Sequence, residues 1–183
     1  DDGNNQDTLQ ARVNGYLQLN QNKYPAQAIH RIDYETSGLV LFCKHPFFQA
    51  YCDKNMEEHH IKKEYIALVQ GHTNYKNKKI ISNIARDRHN AKKMIIHPNG
   101  KESVSIFNTL KNYKDCSLIQ VTILTGRKHQ IRVQCASLNH PILNDPLYGG
   151  KKIDNTGLLL QSHHIQFNDV DITCPQEKRF IRK

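Results

Sequence analysis

The chain has 183 residues, of which 38% are hydrophobic and 23% charged, a composition that fits a globular domain with a core of ordinary size. It contains no apolar run of the roughly 20 residues that a bilayer span requires, and its first residues lack the pattern of a signal peptide. We therefore expect a cytoplasmic protein, or one whose leader has been removed. Lys and Arg number 26 against 17 Asp and Glu, which gives a net charge of +9. Such an excess favours a nucleic acid as partner, although a basic protein without that role would have the same composition.

The five cysteines are widely spaced, and no two of them form a CxxC pair. An odd number without such a pair indicates neither a disulfide framework nor a thiolate zinc site. Cys43, Cys116 and Cys135 fall in apolar stretches and are predicted to be reduced core residues. The cysteines therefore indicate a reducing compartment.

Two hydrophobic patterns organise the first half of the chain. Leu9, Val13 and Leu17 recur every four residues, which is typical of one face of a helix. The run over residues 39–43 is apolar on both faces, which is typical of a strand buried inside a sheet. The predicted elements are, in chain order, a helix over 10–20, a loop over 20–25, a strand end and a hydroxyl-rich loop over 28–38, a central strand over 39–43 and a helix over 46–60.

The second half of the chain alternates strands with long connections. Ile119, Val121 and Ile123 share one face, and this period of two is typical of a half-buried strand. The predicted elements are a strand over 62–70, a long surface connection with short strands over 71–101, hairpin arms over 103–110 and 116–124, a helix over about 128–138, a strand from 158 and a nearby strand with Ile165 and Phe167. Together they predict an α+β fold: a single domain on a largely antiparallel mixed sheet with flanking helices and long loops.

The segment over residues 30–38 holds the first candidate for chemistry. Asp33 stands two residues after Arg31, ahead of an apolar run and inside a loop rich in hydroxyl groups. If this carboxylate faces a cleft, nearby cations would keep it ionised and ready to act as nucleophile or base. A loop aspartate that caps a turn is the alternative interpretation.

Two further segments add an aromatic and a cationic candidate. Tyr65 follows a pair of lysines on a predicted strand, where a phenol can stack on a base, and an ordinary strand tyrosine is the alternative. Arg132 lies in a basic predicted helix and can reach a buried carboxylate with its planar fork. Arg127 and Lys128 at the start of that helix are candidates for binding phosphate. A solvated basic helix is the alternative for this segment.

Taken together and in this order, the three segments resemble the RluA branch of the pseudouridine synthases. Residues 30–39 read His-Arg-Ile-Asp-Tyr-Glu-Thr-Ser-Gly-Leu and resemble the family's catalytic motif HRLDxxTSGL. Residues 63–65 resemble its second motif, and residues 126–133 resemble its third, GRTHQIRVH. The resemblance covers residues 28–170 and includes further matching segments: Ile84-Ala85-Arg86-Asp87, Lys92-Lys93-Met94, Asp145-Pro146-Leu147-Tyr148-Gly149 and Leu158-Leu159-Leu160.

The resemblance implies the pseudouridine synthase fold and an enzyme that isomerises uridines in structured RNA without metal or cofactor. It implies that Asp33 is the catalytic aspartate, that Tyr65 stacks on the target uracil and that Arg132 forms an ion pair with Asp33. Whether Asp33 attacks the ribose C1′, adds to C6 or assists proton removal at C2′ stays open. The uridine must be flipped out of its stack, at a cost of roughly a few kcal/mol.

The same resemblance implies a set of residues that bind RNA. They are His30, which supports the loop, Arg31, which fills the vacated space or holds phosphate, and Thr36, Lys92, Lys93, Arg127, Lys128 and His129. The basic loop over 86–93 and the pair Lys151-Lys152 are candidates for gripping the RNA backbone. Ribosomal RNA is the expected substrate, transfer RNA is the second, and a monomer is expected.

Departures from the family pattern concern the third motif and the N-terminus. Lys128 stands where the family usually has Thr, and Gln134 where it usually has His, and neither change removes a predicted catalytic group. The Lys-Pro element and the S4-type RNA-binding domain that usually precede the catalytic loop are not found here. We therefore predict an N-terminal extension over 1–27, partly disordered or forming a short helix, and a catalytic domain over 28–183. This domain is expected to be the N-terminally truncated core of a longer protein, and a naturally short member that depends on the core alone is the alternative.

Two alternative functions fit parts of the sequence. One is a catalytically silent RNA-binding relative with the same fold, against which the joint presence of Asp33, Tyr65 and Arg132 argues. The other is a metal-dependent hydrolase, suggested by the pairs His59-His60 and His163-His164. Adjacent residues of a helix or strand point to different sides, and no HExxH spacing accompanies these pairs, so no metal site is predicted.

Overall fold

The computed structural model describes residues 7–182, which form two compact units. The first unit comprises the described residues up to Arg31 together with Val40–His60, and the second comprises Ile32–Leu39 together with the described residues from Ile61 onward. Residues 1–6, part of the extension predicted to be disordered, lie outside the described residues. These units do not follow the predicted division at residue 27, which stays a prediction.

Ten strands, three α-helices and three short 3-10 helices make up the described part of the chain. The strands are β1 (Gln27–Ala28), β2 (Ser37–Gly38), β3 (Phe42–Cys43), β4 (Lys62–Gln70), β5 (Lys78–Arg86), β6 (Met94–Ile96), β7 (Lys101–Asn112), β8 (Cys116–Ile123), β9 (Leu160–Phe167) and β10 (Val170–Thr173). The α-helices are α1 (Leu9–Leu19), α2 (Gln49–Glu57) and α3 (Gln130–Ser137), and the 3-10 helices are Pro46–Phe48, Pro146–Tyr148 and Lys178–Phe180. None of the described helices is long and apolar enough to cross a bilayer.

The first unit contains α1, α2 and the antiparallel pair β1–β3. The Thr8 hydroxyl oxygen caps α1 by accepting a hydrogen bond from Ala11 N at 3.1 Å. Pro46 opens the 3-10 helix that leads into α2, at a position where its missing N–H costs nothing. Helix α1 lies within one residue of its predicted bounds and α2 within three, so the helical patterns of this region are confirmed.

The second unit is built on one large sheet with the strand order β10-β9-β4-β8-β7-β5-β6. Every pair of neighbours along this path is antiparallel, and only β2 joins in parallel, against β9. The sheet with its few helices confirms the predicted α+β class. The predicted strand over 62–70 and the predicted hairpin around 112–115 correspond to β4 and to β7–β8, and they are also confirmed.

The core of the second unit lies around β4 and its neighbour β8. All residues of β4 from Lys63 to Val69 are buried, because the strand is covered on both faces. Ile119 and Val121 of β8 and Phe107 of β7 are fully buried in the same core. All five cysteines are free thiols, and every one except Cys174 is buried.

Helix α3 differs from the solvated basic helix that was one interpretation of its sequence. Its residues from Gln130 to Cys135 are all buried, including Arg132. The Gln130 side chain fixes its start by accepting hydrogen bonds from Thr125 Oγ1 at 2.8 Å and Arg127 N at 3.0 Å. The helix therefore carries Arg132 into the protein and away from solvent.

Three predictions about strands were wrong. The run over 39–43 is not a central strand, because Leu39 N donates to Ser162 O while Phe42 and Cys43 pair with β1, so its hydrogen bonds are divided. The predicted surface connection over 71–101 contains the nine-residue strand β5, whose charged ends and interior Ser and Asn weaken the apolar pattern. Ile165 lies in the same strand as Leu160, β9, rather than in a separate one.

Candidate active site

Asp33 lies in a turn that is anchored on the sheet. Thr36 N donates to Asp33 O at 2.9 Å and closes the turn, and the next two residues form β2 against β9. Gly38 has φ +102°, and a Cβ atom there would lie 2.1 Å from Ser162 O, so only glycine allows this approach. The Asp33 side chain is 22% exposed, so the anchored turn presents a carboxylate that solvent still reaches.

Arg132 joins this carboxylate to a second, fully buried one. Its Nε and Nη2 each donate to the Asp145 carboxylate at 2.8 Å, which is a bidentate pair. The remaining nitrogen, Nη1, lies 3.7 Å from Asp33 Oδ2, and Nη2 lies 3.9 Å from Glu35 Oε2. One buried guanidinium therefore faces three carboxylates and holds one of them tightly.

Asp145 and Asp33 stabilise the protonated, positively charged form of Arg132. Burial by itself would lower the pKa of the guanidinium, but the hydrogen bonds and charge of Asp145, together with the charge of Asp33, raise that pKa. Arg132 is therefore a permanent cation next to Asp33.

The aromatic ring of Tyr148 packs against Arg132. Its ring centroid lies 5.1 Å from the Arg132 guanidinium carbon and 5.6 Å from Lys93 Nζ, both within the range of cation–π contacts. Its Oη accepts a hydrogen bond from Met94 N at 2.9 Å and lies 2.8 Å from His129 Nδ1. Burial raises the pKa of the Tyr148 phenol to about 12, so the phenol stays protonated.

His129 is the neutral partner of that phenol. Burial, followed by the charges of Arg132 and Lys128, lowers the pKa of its imidazole, although Asp33 and Asp145 act in the opposite direction. A neutral imidazole has one protonated and one unprotonated nitrogen, so its Nδ1 can share a hydrogen bond with the Tyr148 hydroxyl in either tautomer. His129 occupies the residue before α3 with φ 54°, a left-handed conformation.

Tyr65 is buried in the middle of β4, between Val121 of β8 and Ser162 of β9. Burial raises the pKa of its phenol to about 12, and the negative charge of Asp33 adds to the shift. Tyr65 therefore carries a protonated phenol, and the charge of Asp33 is close enough to raise the pKa of that phenol.

The other predicted site residues are found in several places. Thr36 is buried in the Asp33 turn, whereas Lys92, Arg127 and Lys128 are exposed. Arg127 Nε donates to Glu102 O at 2.9 Å, which holds its side chain against β7. In the first unit, His30 Nε2 accepts from Leu41 N at 3.1 Å and Arg31 is exposed.

Two residues of this site belong to a segment to which the sequence assigned no role. Asp145 and Tyr148 both lie in the matching segment 145–149, but their contacts with Arg132 were not predicted. The available signal was Asp145 itself. The apolar residues Ile142 and Leu143 precede it, separated from it by Asn144, and Pro146-Leu147 follow it. A carboxylate that is buried in apolar surroundings requires a cation, and Arg132 had been identified as suited to a buried carboxylate.

Comparisons with known proteins agree with this geometry. The sequence model of the family described as RNA pseudouridylate synthase matches residues 2–137. An uncharacterized RNA pseudouridine synthase of Bacillus subtilis is 37% identical over 145 residues, which cover 78% of this chain and 48% of that protein. The ribosomal large subunit pseudouridine synthase C of Buchnera aphidicola is 40% identical over 128 residues, which cover 69% of this chain and 41% of that protein. The structure of human RNA pseudouridylate synthase domain containing 1 superposes with a TM-score of 0.75 at 25% identity, covering 82% of this chain and 69% of that one.

The chain therefore belongs to the RNA pseudouridylate synthase family, as its three motifs predicted. It spans about half the length of the curated relatives that it matches.

Proposed function

We propose that this protein isomerises specific uridines in structured RNA to pseudouridine, with Asp33 as the catalytic carboxylate. One observation carries the proposal: Asp33 keeps an accessible carboxylate 3.7 Å from the buried cation Arg132. Membership of the family supports the same activity. A nucleophile or base acts through its carboxylate oxygens, and one of these, Asp33 Oδ2, faces the guanidinium.

The proposed reaction needs no oxidant and no second substrate. The bond between ribose C1′ and uracil N1 breaks, the base turns, and a bond forms between C1′ and C5. The hydrogen at C5 leaves as a proton and N1 takes up a proton, so the product is an isomer of uridine. Attack of Asp33 on C1′, its addition to C6 and proton removal at C2′ each begin from an ionised carboxylate, and Arg132 serves all three.

Tyr65 and Arg132 are assigned supporting roles in this proposal. The ring of Tyr65 provides a surface on which the flipped uracil stacks, since aromatic side chains bind bases through their faces. Its phenol, whose pKa is about 12, stays protonated and adds no negative charge near Asp33. Arg132 pairs with Asp33 and keeps the carboxylate oriented.

RNA binding is assigned to a set of basic residues. Arg31, Lys92, Lys93, Arg127 and Lys128 are proposed to neutralise phosphates, which also releases counterions. His30, Thr36 and His129 are proposed to support the loops that hold the flipped nucleotide. Ribosomal RNA is the proposed substrate, because two relatives are named ribosomal large subunit pseudouridine synthases. Transfer RNA is the second candidate. We propose a monomer.

The proposal is tested on total RNA from the source organism. The purified wild type and Asp33→Ala are each incubated with the RNA, and pseudouridine is mapped by carbodiimide-dependent stops in reverse transcription. New stops with the wild type and none with the variant, while RNA binding persists in both, are expected. A variant that produces the same stops as the wild type would contradict the role of Asp33, and a wild type that binds RNA but produces no stops would favour a silent RNA-binding relative.

A further inference from the structure

Tyr148 lies at the junction of the candidate active site and the basic connection between β5 and β6. Its hydroxyl accepts a hydrogen bond from the main chain of Met94, the first residue of β6, and shares a hydrogen bond with His129 Nδ1. Its ring contacts the side chains of Lys93 and Arg132. A single buried side chain thus contacts both the end of this connection and the guanidinium that faces Asp33.

The β5–β6 connection has a defined shape and a positive charge. Asp87 N donates to Lys93 O at 3.0 Å, Lys93 N donates to Asn90 O at 2.9 Å, and Arg86 Nε donates to Ala91 O at 3.2 Å. These bonds fold residues 87–93 into a compact loop that ends directly at Met94. Its basic residues, counted from the end of β5, are Arg86, Arg88, Lys92 and Lys93, against the single acid Asp87.

We infer that Tyr148 is a positioning residue that couples the β5–β6 loop to Arg132, so that a phosphate bound by the loop influences the guanidinium facing Asp33. The inference rests on the proposed function, because it assumes that the loop binds RNA and that Asp33 reacts. The coupling has two routes, one through the hydrogen bond from Met94 and one through the shared ring contact of Lys93 and Arg132.

The hydroxyl and the ring of Tyr148 can be separated by substitution. Tyr148→Phe keeps the ring between Lys93 and Arg132 but removes the acceptor of Met94 N–H and the hydrogen-bond partner of His129 Nδ1. Tyr148→Leu also removes the ring. A suitable control is Tyr75→Phe, because Tyr75 is likewise buried with a phenol pKa of about 12 but packs against Phe107 in the core.

The first measurement is the single-turnover rate of pseudouridine formation at saturating RNA, with an RNA that carries a uridine identified by the mapping above. We expect Tyr148→Phe to react about 10- to 100-fold more slowly, since a small displacement of a positioned group has effects of this size. RNA affinity and thermal stability of the variant should stay close to those of Tyr75→Phe. Tyr148→Phe reacting as fast as the wild type, or losing rate only in proportion to its unfolded fraction, would overturn the inference.

The second measurement is a double-mutant cycle with Lys93→Met, again at saturating RNA so that weaker binding does not contribute. Residues that act through one path give combined effects smaller than the product of the single effects, whereas independent residues multiply. A combined effect equal to the product would contradict coupling through Tyr148.

A third measurement does not depend on turnover and separates this inference from the proposed function. The Nε–H resonance of Arg132, assigned by its loss in Arg132→Lys, is followed by NMR as polyuridylate is added to the protein. We expect the resonance to shift in the wild type and to shift less in Tyr148→Phe. Equal shifts in both proteins would overturn the inference even if the wild type were inactive, and an inactive wild type with unequal shifts would contradict only the proposed function.

Discussion

Arg132 binds Asp145 through two hydrogen bonds of 2.8 Å and meets Asp33 only at 3.7 Å. The two carboxylates therefore have different relations to the same cation. Asp145 has a fully buried side chain and uses two of the three guanidinium nitrogens, which fixes the plane of the fork. The third nitrogen, Nη1, is directed to Asp33. The contact with Asp145 therefore fixes the position of the guanidinium charge relative to the Asp33 carboxylate.

This relation predicts that Asp145→Asn is strongly destabilising. The substitution leaves a buried guanidinium without its bidentate anion, and removal of one partner of a buried ion pair costs about 3–5 kcal/mol. Urea unfolding of the variant and the wild type measures the change. Glu35→Gln is the matched control, because Glu35 lies 3.9 Å from Arg132 but is 47% exposed, and its loss should cost about 0–1 kcal/mol. Equal stability of Asp145→Asn and Glu35→Gln would contradict the assigned role of Asp145.

Gly38→Ala is predicted to lower stability and activity together. At φ +102° an alanine is strained, and its Cβ would lie 2.1 Å from Ser162 O, so β2 would separate from β9 and carry the Asp33 turn with it. We expect a loss of more than ~1 kcal/mol in the free energy of unfolding. Gly15→Ala in α1 meets nothing within 4 Å and should instead gain ~0.5–1 kcal/mol. An unchanged melting temperature for Gly38→Ala would show that the β2–β9 approach is not required.

The pH dependence of stability should contain a contribution from His129. Its folded pKa lies below the ordinary value of 6.5, chiefly because of burial, so at pH values below 6.5 the unfolded chain binds more protons than the folded one. The contribution of neutral His129 to the free energy of unfolding is complete above pH 6.5 and is lost as the pH falls toward the folded pKa. We expect His129→Gln to flatten the decline in stability between roughly pH 7 and pH 5. Chemical denaturation across this range checks it, and parallel curves for the two proteins would argue against a neutral, buried His129.

Lys92→Ala is predicted to weaken RNA binding without affecting folding. Lys92 is exposed in the β5–β6 loop, and if it neutralises one phosphate, the slope of log Kd against log salt should fall by about one. Fluorescence anisotropy with a labelled RNA over a salt series measures this slope. Lys54→Ala is the control, since Lys54 is exposed in the first unit and lies 3.7 Å from Glu58. A slope that changes equally in both variants would remove Lys92 from the proposed interface.

The sequence was sufficient to predict the class of fold and the elements that carry two of the site residues. The pattern of β4 put Tyr65 on a strand, and the apolar stripe of α3 put Arg132 on a helix, both in agreement with the structure. Local periodicity succeeds here because each element buries the faces that its pattern defines.

The contacts between these elements were harder to predict. The pairing of Arg132 with Asp145 depends on how the 145–149 turn packs on α3, which no local pattern describes. The run over 39–43 was misassigned because a short apolar segment has the same appearance whether it forms one strand or divides its hydrogen bonds between two partners. The neutral state of His129 likewise depends on burial by residues that are distant in sequence.

The most direct test of the proposed role of Asp33 compares Asp33→Asn with Glu35→Gln. Both substitutions remove one carboxylate near Arg132 and preserve shape, but only Asp33 is proposed to react. Pseudouridine formation releases the C5 hydrogen, so tritium release from RNA labelled at uridine C5 measures the reaction. We predict that Asp33→Asn binds this RNA but releases no tritium above background, while Glu35→Gln releases it at a rate close to that of the wild type. Release by Asp33→Asn at the wild-type rate would contradict the central claim that Asp33 is the catalytic carboxylate.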